Sequence, residues 1–227
     1  MKSILILALS AIFSFQTFAD STLQQRLDQR KDNANKKRPD EVKKVMDDAL
    51  KELQKAGIAE ASLKKDTIVP SFSIDGKDIS EFYKDGKIIV SFYRGSWCPY
   101  CMMQLKEYQK YYDEILKKGG KLIVLAPDTK KEIAKTKRNH KLTFPIYSDK
   151  DNQIAKKFGL AFKLDEKLKK LYTKFGIDLK KNQGNENFEL PLPGTYVINK
   201  KGQIIYAFAE ADYTKRAEPS EVIKLLD

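Results

Sequence analysis

Two continuous apolar runs, separated by an amphipathic stretch, dominate the middle of the chain. The runs Ile88–Tyr93 and Lys121–Pro127 are rich in β-branched and other apolar residues, which is typical of buried strands. Between them, apolar residues recur at helical spacing from Pro99 until Gly119-Gly120 ends the pattern. Two strands joined through a helix form a right-handed βαβ unit with a parallel sheet. The pattern therefore predicts an α/β domain.

Further elements alternate in the same way toward the C-terminus. We expect a second helix–strand crossover, then an insertion at about residues 160–189 with one amphipathic helix, then a β-hairpin and a closing helix. The predicted elements are a helix around Lys130–Asn139, strands at Thr143–Tyr147, Leu192–Asn199 and Gln203–Glu210, and a helix at Glu218–Leu226. An edge strand at Val69–Ile74 begins the pattern, so we place the main domain at residues 65–227.

The residues before this domain have a helical pattern and contain no chemical motif. Residues 21–38 are polar and predict a loosely attached helix. Pro39-Asp40 starts a second helix, which Gly57 ends. One face of that helix is apolar and consists of Val42, Met46, Leu50 and Leu53. We therefore interpret residues 20–64 as an N-terminal helical extension packed on the main domain.

The start of the chain has the three parts of a secretory signal peptide. Lys2 is followed by the apolar run Ile4–Phe15 and by a small-residue cleavage site at Thr17-Phe18-Ala19. The apolar run is too short to span a bilayer, and no later segment approaches the needed length. We expect residues 1–19 to be removed, with the mature start near Asp20, a periplasmic or secreted location and no stable membrane association after cleavage.

The formal net charge of +12 raises the question of a nucleic-acid partner. Export removes the usual substrate of such a protein, and acidic residues lie between the lysines in every segment. The densest basic cluster, Lys163–Lys181, carries apolar residues at helical spacing, which is typical of a core-facing stripe with a solvated lysine face. We therefore expect no nucleic-acid partner.

The only two cysteines of the chain, Cys98 and Cys101, lie where the first predicted strand turns into the helix. Cys98 is at the helix cap, beside free backbone N–H groups and the positive end of the helix dipole. Pro99 occupies the first helical turn, where its missing donor costs nothing. Because the dipole stabilises a thiolate, we predict a lowered pKa and nucleophilic reactivity for Cys98. Cys101, one turn inside, could close a small disulfide ring, so the pair predicts a redox centre.

Two other interpretations of the C-x-x-C spacing are weaker. A zinc site needs four ligands, and the remaining candidates are His140 and scattered carboxylates, so we expect no metal and no other cofactor. A structural disulfide is common in secreted chains. At this spacing, however, it would close so short a loop that it would restrain little of the unfolded chain.

Three stretches of the chain carry recognisable motifs: FYRGSWCPYC at Phe92–Cys101, LPGTYVI at Leu192–Ile198 and DYTKRAEP at Asp212–Pro219. Together they resemble the peroxiredoxin-like branch of the alkyl hydroperoxide reductase/thiol-specific antioxidant (AhpC/TSA) family. The extension and the insertion are similar to that branch too, so the resemblance covers essentially the whole mature chain. It implies a thioredoxin-like fold, with a central mixed β-sheet flanked by helices. It also implies a thiol-dependent peroxidase or a disulfide reductase.

The chain departs from the usual family pattern around the cysteines. Typical peroxiredoxins place a threonine or serine three residues before the peroxidatic cysteine and a proline seven before it, where this chain has Gly95 and Ser91. The position of the usual active-site arginine is Pro193, as in thioredoxin-type reductases. The missing groups normally donate hydrogen bonds to the peroxide and stabilise charge on the departing oxygen. Arg94 and Ser96 are the candidates to replace them.

Five further residues have expected roles near the cysteine pair. The resemblance favours a cis peptide bond before Pro193, facing the pair, although X-Pro bonds are trans by default. Trp97, the only tryptophan, is expected to cover the site. For Arg94, a role as anion-stabilising donor and a role in a structural ion pair are evenly matched. Asp212 and Arg216 are expected to brace one another or their turn rather than to touch substrate.

Three functions are compatible with these residues. In a peroxidase, Cys98 attacks a hydroperoxide and becomes sulfenic acid, Cys101 condenses with it to a disulfide, and a thioredoxin-like dithiol reductant restores the pair. In a thiol–disulfide oxidoreductase, Cys98 attacks a substrate disulfide and Cys101 resolves the mixed disulfide. The third is a non-catalytic secreted binding module. We favour the peroxidase over the oxidoreductase and both over the binding module. A monomer and a homodimer are both compatible with the sequence.

Overall fold

A five-stranded mixed sheet lies at the centre of the protein, whose computed structural model describes residues 21–227. The predicted signal peptide, residues 1–19, lies outside the described residues. Within the described part of the chain, no helix combines the length and the apolar character needed to cross a membrane.

The elements alternate along the chain as the apolar pattern predicts. The strands are β1 Ser73–Ile74, β2 Lys77–Asp78, β3 Ile88–Phe92, β4 Lys121–Ala126, β5 Ile146–Ser148, β6 Ala161–Lys163, β7 Glu189–Pro191, β8 Gly194–Ile198 and β9 Ile204–Ala209. The α-helices are α1 Leu23–Lys37, α2 Asp40–Lys55, α3 Ile58–Ala61, α4 Ser80–Tyr83, α5 Pro99–Lys117, α6 Lys130–His140, α7 Gln153–Lys157, α8 Glu166–Lys174, α9 Leu179–Gln183 and α10 Pro219–Val222. Short 3₁₀ turns cover Lys150–Asn152 and Ile223–Leu226.

The strand order of the central sheet is β5-β4-β3-β8-β9. Strands β3, β4 and β5 are parallel, while β8 runs antiparallel to both of its neighbours. The prediction of a central mixed sheet flanked by helices is confirmed. Strand β3 is central and fully buried, because helices cover both faces of the sheet around it. Its carboxyl end leads directly to the cysteines.

Three elements differ from their predicted bounds. The strand predicted at Thr143–Tyr147 begins only at Ile146, because Pro145 has no N–H to donate to the ladder. Of the predicted edge strand, only Ser73–Ile74 pairs in a ladder. The insertion contains two helices and the β6–β7 ribbon, where a single helix was expected.

The prediction that the first helix is loosely attached is wrong. Leu23 and Leu27 of α1 are almost fully buried in the same apolar cluster as the two cysteines. Arg26 of α1 forms an ion pair with Glu107 of α5. The abundance of polar residues misled the prediction, because two leucines one turn apart suffice to anchor a short helix when both reach the core.

The second helix of the extension packs on the insertion. Val42 of α2 belongs to an apolar cluster with Leu168, Leu171 and Tyr172 of α8. The same cluster includes Trp97 at its edge. Extension and insertion therefore support each other, and together they place Tyr172 beside the turn that carries the cysteines.

Candidate active site

The cysteines lie at the junction of β3 and α5, as predicted. Cys98 is the N-cap of α5, and Pro99 is its first residue. The N–H of Cys98 donates to the carbonyl of Gly95 at 3.1 Å, which closes the turn. Both cysteines are free thiols and both are buried, with exposed fractions of 2% for Cys98 and 0% for Cys101.

Gly95 stands where peroxiredoxins usually have threonine or serine, and its surroundings explain the difference. Its φ is +150°, and a Cβ atom added there would lie 2.3 Å from the indole nitrogen of Trp97. Any side chain at this position would therefore collide with the ring. Trp97 therefore occupies the space that a side chain at position 95 would need.

The two thiols are coupled, and their surroundings lower the pKa of Cys101 and raise that of Cys98. Burial would raise the pKa of Cys101, but the hydrogen bond from the Cys98 thiol and the charge of Arg216 lower it to about 5. Burial, together with the hydrogen bond to Cys101, raises the pKa of Cys98 well above its usual range. The prediction placed the lowered pKa on Cys98, whereas the hydrogen bond from Arg216 reaches the Cys101 sulfur; the charges of Arg94 and Arg216 act on both thiols.

The sequence did not predict that Arg216 contacts the cysteine pair. Its guanidinium donates to the Cys101 sulfur at 3.4 Å. The same side chain donates to the carbonyls of Tyr213 and Lys215, so it also braces its own turn, as expected. It does not pair with Asp212, which instead accepts from Lys31 at 2.8 Å and from Thr214.

Arg94 is buried beside the cysteine pair, with 3% of its surface exposed. Its guanidinium donates to the hydroxyl of Tyr172. It also lies 5.1 Å from the ring centre of Trp97 and 4.8 Å from that of Tyr213. The cysteines and the two tyrosines are the groups whose charges act on it. Of the two predicted roles, this environment fits an anion-stabilising cation rather than a member of a carboxylate ion pair.

Aromatic side chains separate the cysteine pair from solvent. Trp97 packs edge-on against Tyr172, with ring centres 5.1 Å apart, and Tyr100 packs against Tyr213 at 5.4 Å. The prediction that Trp97 covers the site agrees with this packing. Tyr172 was not predicted, because it comes from the insertion and its only sequence signal was a helical apolar stripe.

Ser96 is held by a buried carboxylate that the sequence analysis did not identify. Its backbone N–H donates to Oδ2 of Asp128 at 3.0 Å. Burial raises the pKa of Asp128 to about 7, against the lowering effect of that hydrogen bond. A signal was present: Asp128 follows β4, and the carboxyl ends of the parallel strands β3 and β4 meet at one edge of the sheet.

The cis peptide bond predicted before Pro193 is wrong, since no peptide bond between residues 21 and 227 is cis. Pro193 instead connects β7 to β8 in the ordinary trans form. Its carbonyl accepts from the N–H of Glu210, so the residue continues the pairing of β8 with β9. His140 is half-buried at the end of α6, and the described residues contain no group of three side chains suited to hold a metal ion.

Comparison with known proteins gives one family match. The AhpC/TSA family model matches residues 65–207. Among curated relatives, sporulation thiol-disulfide oxidoreductase A of Bacillus subtilis is 30% identical over 53% of this chain and 79% of the relative. A putative chloroplastic peroxiredoxin Q of rice (Oryza sativa subsp. indica) is 25% identical over 71% of this chain and 66% of the relative.

The solved structures agree on the fold. The crystal structure of peroxidoxin BcpB from Mycobacterium tuberculosis matches with a TM-score of 0.55 and 16% identity. The match covers 72% of this chain and 96% of the other. The remainder of this chain lies outside the match.

Proposed function

The chain belongs to the AhpC/TSA family, and from that premise we propose that it is a thiol-dependent peroxidase, an oxidoreductase that reduces hydroperoxides at the Cys98–Cys101 pair. Two buried guanidinium groups, those of Arg94 and Arg216, act on one cysteine pair, and this single observation carries the proposal. Buried cations stabilise a thiolate and also the negative charge that develops on the departing oxygen.

The two arginines offer a replacement for the donors that the family pattern normally supplies. Gly95 provides no hydroxyl, and Pro193 provides no guanidinium. Arg216 reaches the pair from the segment before α10, and Arg94 reaches it from the turn itself. The backbone N–H of Ser96 donates to Asp128, and this hydrogen bond holds the turn in place.

The reaction begins with a proton transfer between the two coupled thiols. Transfer of the proton from Cys98 to Cys101 makes Cys98 the thiolate, and Cys98 is the sulfur closer to the surface. Its lone pair attacks the terminal oxygen of ROOH, the O–O bond breaks, and RO⁻ takes the proton from Cys101. Cys98 is then a sulfenic acid, and the products so far are ROH and the Cys101 thiolate.

Resolution follows within the same helix turn. The Cys101 thiolate attacks the Cys98 sulfur, and hydroxide leaves and is protonated to water. The two thiols have then lost two electrons to the peroxide and form a disulfide. An external thioredoxin-like dithiol returns those electrons by disulfide exchange and becomes a disulfide itself.

The predicted signal peptide supports a site of action outside the cytoplasm, in a periplasm or a secreted space. Such compartments favour disulfides, so the pair would need a dedicated dithiol donor to turn over. No cofactor takes part in this scheme, since every electron passes through sulfur.

A thiol–disulfide oxidoreductase is the second candidate, and the relative from Bacillus subtilis favours it. The burial of the pair argues against it. Because Trp97, Tyr172 and Tyr213 surround the site, a small peroxide needs less room than the extended chain of a protein disulfide.

Parallel assays separate the two candidates. The mature protein is given dithiothreitol as electron donor and either hydrogen peroxide or insulin as acceptor, with Cys98→Ser as the matched control. Peroxide consumption that depends on Cys98, with insulin reduction near the background of dithiothreitol alone, is the expected result. Cys98-dependent insulin reduction without peroxide consumption would overturn the peroxidase proposal.

A further inference from the structure

A cavity of about 220 Å³ lies between helices α2 and α8, and one buried cation lines it. Its walls consist largely of apolar side chains from the extension and the insertion, among them Met46, Leu50, Leu53 and Leu168. The cation is Arg94, with 3% of its surface exposed. Neither cysteine lines the cavity, so it is not the place where the sulfurs react. The α2 wall lies before residue 65, where the family match begins.

The other charged side chains that line the cavity differ from Arg94 in being exposed. They are Glu52, Lys163 and Asp165. Asp165 also has a partner in the protein, since it accepts from the N–H of Leu168 at 2.9 Å. Water and salt screen exposed charges strongly, whereas a buried charge is screened much less. The charge preference of the cavity is therefore set by Arg94, and it is a preference for an anion.

Among residues 21–227, the cysteine pair is the one source of negative charge that acts strongly on Arg94. Its guanidinium donates to the hydroxyl of Tyr172, and its Nε has no hydrogen-bond partner in that part of the chain. The groups that act on its charge are the two cysteines, Tyr172 and Tyr213. Burial raises the pKa of both tyrosines, that of Tyr213 to about 12, so neither is an anion at neutral pH. The thiolate of the cysteine pair is therefore the counter-charge of Arg94.

Oxidation of the cysteine pair removes that counter-charge. A disulfide is uncharged, so Arg94 becomes a buried cation without a strongly acting anion among the described residues. An unpaired buried charge is unfavourable, and the binding of an anion relieves the cost. The cavity gives such an anion a place, and its apolar walls favour one with an apolar body. Because an apolar cavity of about 150 Å³ holds benzene, the volume here suits a phenyl ring with a short carboxylate arm.

We propose that this cavity binds a monocarboxylate with an apolar body, and that the carboxylate pairs with Arg94 when the cysteines form a disulfide. The proposal goes beyond the peroxidase function, because this ligand is neither oxidised nor reduced. In the reduced protein, the thiolate and the carboxylate compete for one guanidinium, so the ligand binds less tightly. Linkage requires the reverse effect as well: the bound carboxylate favours the disulfide over the dithiol by the same factor.

The test compares two probes of one shape in two redox states. The first probe, 3-phenylpropanoate, has a phenyl ring and a carboxylate, and the second, 3-phenyl-1-propanol, has an uncharged hydroxyl in place of the carboxylate. The mature protein is reduced with dithiothreitol or oxidised with diamide, which takes two electrons and two protons from the pair and so forms the disulfide without peroxide. After either reagent is removed, calorimetric titration at pH 7 measures the Kd of each probe.

Two variants locate the bound probe. Ala49 of α2 lines the cavity, and Ala49→Leu adds an apolar side chain to it. Gln54→Leu adds the same side chain at an exposed position of the same helix, outside the cavity lining, and is the matched control. Circular dichroism shows whether both variants fold.

We expect the disulfide form to bind phenylpropanoate at least about tenfold more tightly than the dithiol form does, since two neighbouring charges commonly change each other's binding equilibria by a factor of ten or more. It should also bind phenylpropanoate more tightly than the alcohol. Ala49→Leu should abolish this binding, and Gln54→Leu should preserve it. In a dithiothreitol redox buffer, phenylpropanoate should shift the equilibrium of the pair toward the disulfide by the same factor.

Equal affinity in the two redox states would overturn the proposal, because the thiolate would then not compete with the ligand. Equal affinity for the acid and the alcohol would overturn it too, because the charge of Arg94 would play no part. Binding that persists in folded Ala49→Leu would place the probe outside the cavity. If Ala49→Leu does not fold, the two probes and two redox states of the unmodified protein still decide. Since diamide forms the disulfide, these results hold whether or not the protein consumes peroxide, and a failure of the peroxidase function is seen separately in its own assay.

Discussion

The guanidinium of Arg216 donates a hydrogen bond to the sulfur of Cys101 across 3.4 Å, although the two residues are 115 positions apart. The contact joins the C-terminal segment to the redox helix. It also helps to lower the pKa of the Cys101 thiol. Because the charge of Arg94 also acts on the pair, the cysteines lie in a buried site of positive charge.

Removal of the Arg216 charge should raise the pKa at which the cysteine pair ionises. In the unmodified protein this thiolate forms with a pKa of about 5, so the rate of reaction with peroxide should rise between pH 4 and pH 6 and then level off. We expect Arg216→Gln to shift both curves upward by at least about one pH unit. Thiolate absorbance at 240 nm against pH measures the shift.

The matched control for that variant is Lys215→Gln. Lys215 is the neighbouring cation, but its ammonium pairs with Asp28 at 3.0 Å and does not contact the cysteines. It should titrate like the unmodified protein. An unchanged curve in Arg216→Gln would show that Arg216 only braces its turn.

The two cysteine variants should fail at different steps. Cys98→Ser removes the attacking sulfur, so peroxide consumption should stop. Cys101→Ser removes both the resolving sulfur and the group that takes the proton of Cys98, so the attack should be slower, and one molecule of peroxide should leave a sulfenic acid on Cys98. Mass spectrometry after trapping with dimedone identifies that product. Full turnover in Cys98→Ser would contradict the mechanism, and a trapped adduct on Cys101 in that variant would exchange the roles of the two sulfurs.

Asp128 should make the protein less stable as the pH rises from 5 to 8. Its pKa is about 7 in the folded protein and near 4 in the unfolded chain, so the folded state holds the extra proton within this window. Stability falls with pH wherever the folded state binds more protons. Asp128→Asn removes this dependence. The difference in free energy of unfolding, variant minus unmodified protein, should therefore increase by about 2–3 kcal/mol from pH 5 to pH 8.

Urea unfolding of both proteins at each pH measures that difference. Both proteins contain the same cysteines, so the opposite pH dependence of the Cys101 thiolate is common to both curves apart from its coupling to Asp128. A difference that stays constant across the range would show that Asp128 is ionised throughout.

The first helix, α1, should contribute substantially to the stability of the fold. Leu27 is fully buried beside the redox helix, so Leu27→Ala should cost about 2–5 kcal/mol of stability. Gln29→Ala on the exposed face of the same helix is the control and should cost less than about 0.5 kcal/mol. Thermal unfolding gives both values. Equal small losses would support the loosely attached helix that the polar sequence suggested.

The sequence predicted the parts of the site that are local. The apolar strand, the turn and the capped helix are formed by consecutive residues. The positions of Cys98, Pro99 and Trp97 at the junction of strand and helix therefore followed from spacing alone. The central sheet followed for the same reason, since each buried strand carries its own apolar run.

The parts that the sequence did not predict depend on contacts between distant segments. Neither the contact of Arg216 with Cys101 nor that of Tyr172 with Arg94 has a local signature, because each joins elements that only the fold brings together. The lowered pKa of Cys101 depends on the contact with Arg216, which the position of Cys98 at the helix start does not reveal.

Rapid mixing of the reduced mature protein with hydrogen peroxide tests the central claim most directly. Trp97 is the only tryptophan and touches the site, so its fluorescence reports oxidation while free thiols are counted in quenched samples. The peroxidase account predicts that both thiols are lost at least about a hundredfold faster than free cysteine, in step with the fluorescence change. Thiol loss at the rate of free cysteine, together with fast exchange against a disulfide, would contradict it and favour the oxidoreductase.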